Sequence, residues 1–186
     1  MKGGDMSDLY ERIAGERRRL REVRQMMTAA VEQGSGGAAD YVPFYIAIGN
    51  YFETAMHRLH EQDIRMDALL REKADLTIPK NQQAMEELDF RLTGNQEHLQ
   101  KLLAARERLK SDGAAALEEF EQAGKGYSDF IVANMGHHPG TNDMAQAVFT
   151  PEDWNHMAYI SDNDLATQQE LHEQVVAAKP ANLALD

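Results

Sequence analysis

Apolar residues recur along this chain at every third or fourth position, and no stretch alternates apolar with polar as a half-buried strand does. That period gathers them on one face of a helix, so they can be buried only by packing helix against helix. Leu9, Ile13, Leu20, Val23 and Met27 make the stripe of a first helix over about 7–33, with Ser7 as its cap. The glycine-rich run 34–39 is too flexible to continue it. Asp40 can cap a second helix that runs to about 73, with Pro43 in its first turn, where no amide donor is needed. Its stripe is Tyr45, Ile48, Phe52, Met56, Leu59, Met66 and Leu70.

After a short connection at 75–79, Met85, Leu88, Leu92, Leu99, Leu102 and Leu109 mark a third helix to about 111. Asp112-Gly113 makes the next turn. Leu117, Phe120, Tyr127 and Ile131 mark a fourth helix, expected to stop at Gly136 as a left-handed C-cap. The segment 137–143 is expected to be a loop or a break, because His138 precedes Pro139. Thr150-Pro151-Glu152-Asp153 combines a capping hydroxyl, a first-turn proline and two acids, and so starts a last helical region reaching about 179. That region can break at 161–164. The expected fold is all-α: one domain over 1–186, an up-down-up-down four-helix bundle at about 7–136 with a C-terminal helical extension at about 150–179.

A chain of 186 residues can bury a core without staples, and it has no cysteine to form any. The missing thiols remove thiolate zinc sites, iron–sulfur clusters and cysteine nucleophiles. A net charge of -12 argues against a general nucleic-acid partner. Arg17, Arg18, Arg19, Arg21 and Arg24 read as the solvated face of the first helix. No apolar run is long enough to span a bilayer, and the polar start leads into no secretory core, so a cytoplasmic location is expected. Serine-elbow, zincin and phosphate-loop motifs are absent, as is the paired Glu-x-x-His of ferritin-like oxidases, and enzymatic activity is not expected.

The chemistry-bearing residues are polar groups on or beside the stripes, where burial without a partner costs several kcal/mol (roughly 2–7). Glu16 lies on the first stripe, three after Ile13 and four before Leu20. His57 and Glu61 stand four apart on the second helix, a spacing that can offer two ligands to one ion. Periodicity centred on Phe52 instead turns His60 and Asp63 toward the core. His98 flanks the third stripe, and His137 and His138 follow the fourth helix. Together these would bring imidazole and carboxylate donors from four helices to one level, a set suited to iron, manganese or zinc.

The segments 8–18, His57 to Leu69, Glu97-His98 and 137–142, followed by Phe149-Thr150-Pro151-Glu152-Asp153-Trp154, resemble the hemerythrin-like, or HHE cation-binding, family. The resemblance implies a four-helix bundle holding non-haem iron, with an open position for a diatomic ligand such as oxygen or nitric oxide, in redox sensing or metal handling. Its metal ligands would be Glu16, His57 with Glu61 or His60, His98, and His137 or His138. Glu16 stands where the family has a histidine, Thr141 where it has a carboxylate or arginine, and Asp67 where it has a proline. These departures leave a mononuclear site, a different metal or a degenerate bundle open. The alternative is a metal-free interaction or regulatory module that has lost the site, its ten methionines serving packing. A homodimer is compatible with either.

Overall fold

The computed structural model describes residues 6–136 and 138–185, of which 6–10 as backbone only. The described residues form α1 (Met6–Gln33), α2 (Tyr41–Lys73), α3 (Pro79–Asp112), a 3-10 turn (Gly113–Ala116), α4 (Leu117–Asn134), α5 (Pro139–Val148), α6 (Pro151–Ala158) and α7 (Asp162–Ala178). None of these helices is long and apolar enough to cross a membrane.

The local signals explain most of the boundaries. α1 ends at Gly34, whose φ of 72° is a conformation that suits glycine. Pro43 sits in the first turn of α2, but Asp40 makes no side-chain capping bond. Pro79 opens α3, and Gly113 at φ 60° closes it. Thr150 and Asp153 form a reciprocal capping box at the head of α6. Ser161 caps α7 at the break expected there. Two further expectations need correcting. Gly136 is not left-handed; α4 ends close to it, at Asn134, with Met135 as C-cap. The expected loop is also short: Pro139 is a helix start, and α5 begins on it.

Contacts between side chains give the directions. Arg106 of α3 reaches Asn50 and Glu53 near the start of α2, whereas Arg71 near its end reaches Asp89, so the two helices run oppositely. α3 meets α4 through Tyr127 to Asn95 and Phe130 to Phe90. α4 meets α1 through Ser128 and Thr28. α6 and α7 lie against α1 and α2. Gly94 lets α3 and α4 approach closely: a Cβ there would sit 2.4 Å from the Phe130 ring.

Two apolar clusters fill the interior. The larger is aromatic, with Tyr45 stacked on Phe120 at 4.7 Å and Phe52 against Tyr127. The smaller is rich in methionine: Met66, Met85, Met144 and Met157 gather there around Leu70 and Leu88. Arg58, Gln62, Arg91, Asn95 and Gln168 are buried polar residues at the levels between these clusters. Such a polar belt needs an account, because each buried polar atom must find a partner.

Candidate functional site

α2 carries three of the proposed donors, and its geometry separates them. With Phe52 in the core, 100° per residue turns His57 and Glu61 to the outer face. His57 Nε2 stands 3.5 Å from Glu61 Oε1, with the side chains 70% and 54% exposed. Such exposed i,i+4 pairs contribute about 0.2–0.5 kcal/mol. His57→Ala is therefore expected to change the unfolding free energy by about 0.5 kcal/mol or less, as read by urea titration. A loss of several kcal/mol would mean that His57 ligates or packs in a way these contacts do not provide. His60 is half-buried; its Nδ1 is buried and lacks a hydrogen-bond partner. Burial, and next the nearby His57, push its pKa below the ordinary imidazole value.

His98 belongs to an aromatic stack. Its ring lies 4.8 Å from Phe130 and 5.9 Å from Tyr127, nearly parallel to the second. Burial, then Lys101, lower its pKa, which favours the neutral ring that packs as an aromatic. His138 is half-buried at the N-cap position of α5 and makes no capping bond there. His137 lies outside the described residues.

Glu16 is held by the C-terminal extension. Gln168 of α7 donates its amide to Glu16 Oε1 at 3.3 Å. Burial raises the Glu16 pKa, and the field of Arg58 is the foremost effect opposing that rise. Arg58 is itself buried, and its Nη2 donates at 2.9 Å to the carbonyl of Ala158. Ala158 is the last residue of α6, whose final carbonyls have no partner within the helix. The guanidinium thus caps that end, and its charge suits the negative pole of the dipole. Arg58 Nε and Nη1 stay without hydrogen bonds, and burial lowers its pKa. Glu16, Arg58, Gln62 and Gln168 border a cavity of about 30 Å³, enough for about one or two waters.

On the core side of α2, Asp63 faces the fields of Arg91 and Arg17, and burial pushes its carboxyl up to about 6. Asn95 of α3 accepts the Tyr127 hydroxyl. Periodicity does turn Asp63 inward, as the sequence indicates. Arg58, Arg91 and Gln168 carry no motif, and their importance emerges only once α6 and α7 cover α2.

The proposed donors therefore separate: Glu16 joins α7, His98 joins α4, and His57 with Glu61 faces outward. Among the described residues, no three His, Asp or Glu side chains are grouped so as to hold a metal ion. The described donors do not fit the site that non-haem iron, zinc or manganese would need. No protein-family model, no curated protein and no solved structure matches the chain.

Proposed function

We propose that this chain is a metal-free helical interaction or regulatory module. In this reading α1 to α4 form an up-down-up-down four-helix bundle, and α5 to α7 form its extension. The antiparallel contacts of α2 with α3, together with the neighbouring pairs α3–α4 and α4–α1, support that layout. One observation carries the functional reading: Glu16, the carboxylate on the stripe of α1, is answered by protein groups. Gln168 supplies its hydrogen bond and Arg58 its positive field.

The same residues fasten the extension. Arg58 to Ala158, Gln168 to Glu16, Arg12 to Asp162 and His172 to Glu22 tie α6 and α7 to α1 and α2. Where a metal-binding bundle would converge its ligands, this chain has a docking seam.

The test is metal analysis of the full chain after anaerobic exposure to Fe(II), Mn(II) and Zn(II) and then desalting, with absorption spectra in air. The expected result is no stoichiometric retention of any of the three. Stoichiometric metal that disappears in Glu16→Gln or His57→Ala would overturn the proposal and restore the hemerythrin-like reading.

A further inference from the structure

Arg17, Arg18, Arg21 and Arg24 place four positive charges within about two turns of α1, in a chain of net charge -12. Several other cations of the chain are ion-paired, among them Arg71 with Asp67 and Asp89, Arg106 with Glu53 and Glu107, and Lys73 with Asp153. The four arginines of α1 are not. Among the described residues none of them has a side-chain hydrogen bond or a carboxylate within ion-pair distance. Arg17 influences Glu16 and Asp63 only through its field. Like charges three and four apart destabilise a helix by tenths of a kcal/mol per pair. An unpartnered stripe of this kind is therefore a cost within the monomer.

Geometry makes it a surface. At 100° per residue, Arg17, Arg21 and Arg24 fall within about 60° of arc. Thr28 continues that strip and is bonded to Ser128 of α4, whereas Arg17 at the other end borders the cavity between α1 and α2. Arg17, Arg18 and Arg21 are exposed.

A complementary surface lies over α2, between α3 and α7. It is a groove of about 560 Å³ bordered by Glu53, His57, Glu61, Leu99, Leu103 and Asp164. Arg106 holds Glu53, and Arg58, which also lines the groove, acts on Glu61 and Asp164 through its field; no Lys or Arg stands within ion-pair distance of either carboxylate. Leu99 and Leu103 are half-exposed along one wall. Along the helix axes, Glu53 to Glu61 spans about 12 Å and Arg17 to Arg24 about 10 Å. The charges of stripe and groove are therefore spaced alike.

Resting on the interaction-module reading, we propose that the α1 stripe of one copy seats in the α2 groove of a second copy. The two patches are different surfaces, so the contact is head-to-tail and extends into chains or closes into a ring. The like net charge of the two copies does not forbid this. At physiological salt the screening length is about 8 Å, so pairs in contact outweigh distant repulsion.

Sedimentation velocity on the full chain tests it, with two surface variants: Arg17→Gln with Arg21→Gln in the stripe, and His57→Lys with Glu61→Lys in the groove. Wild type is expected to grow in mass with concentration at 0.15 M salt and to lose that growth at 1 M. Each variant alone is expected to stay monomeric with unchanged helicity. An equimolar mixture of the two should form a one-to-one pair and stop, because only one intact stripe and one intact groove remain. A wild type monomeric throughout, a dimer surviving in both variants, or a mixture that fails to pair would each overturn the proposal. A stripe that retains an anionic polymer such as heparin while the protein stays monomeric would do the same. Metal content, measured separately, reports on the underlying reading without touching this result.

Discussion

Asp63→Asn is expected to raise the unfolding free energy at pH 8 by about 2–3 kcal/mol and to leave it nearly unchanged at pH 4. The cause is the position of Asp63, opposite the buried Arg91, where burial outweighs the attraction of Arg91 and Arg17 and lifts the carboxyl to about 6. An unfolded aspartate titrates near 3.9. Between about pH 4 and pH 6 the folded chain therefore holds a proton that the unfolded chain has lost. Stability falls as pH rises through that window and levels off above it. Asparagine mimics the protonated carboxyl at every pH, so the variant lacks this slope.

Asp153 and Asp75 have depressed pKa values, from the Lys73 and Thr77 hydrogen bonds respectively, and slope the other way. They are common to both proteins, so the difference between wild type and variant isolates Asp63. Paired urea titrations at pH 4, 6 and 8 measure it. A variant no more stable than wild type at pH 8 would show that Arg91 fully compensates the charge.

The helices were legible because the apolar period is strong and its interruptions are chemically plain. Gly34, Pro79, Gly113 and Thr150 each mark a boundary that backbone conformation or capping requires. Gly136 misled because a glycine permits a left-handed turn without demanding one. Pro139 misled because the residue before a proline leaves the helix, while the proline itself is well suited to begin another.

The site was less legible, for a geometric reason. Spacing along α2 shows that His57 and Glu61 share a face, but the direction of that face depends on what packs against the helix. Arg58 stands about 100° from His57 and belongs to no motif. It becomes buried only because α6, a hundred residues later, presents an unpaired carbonyl to it. Glu16 likewise announces a buried carboxylate, but its partner Gln168 lies 152 residues away on an element without a motif. Local pattern thus identified which polar groups needed partners and could not name the partners.

Those partners make Arg58 the most sensitive residue of the docking seam. Arg58→Met preserves much of the side-chain volume, removes the hydrogen bond to the Ala158 carbonyl, and leaves that acceptor in a buried position. A charge-assisted bond of this kind and its orphaned partner together are expected to cost about 2–3 kcal/mol, reduced somewhat by relief of the desolvated guanidinium. The loss should depend on pH. Burial already raises the Glu16 pKa, and Arg58 is the main influence restraining it. Without Arg58 the carboxyl rises further, so the folded variant takes up a proton at higher pH than wild type does. Stability of the variant then falls as pH rises through that higher pKa, and the cost is larger at pH 8 than at pH 5. Because the lost bond fastens the extension, amide exchange is expected to quicken first in α6 and α7 while the aromatic core around Phe52 and Phe120 keeps its protection. An equal cost at both pH values would mean that Glu16 does not sense Arg58. Unchanged exchange in α6 and α7 would mean that other contacts hold the extension in place.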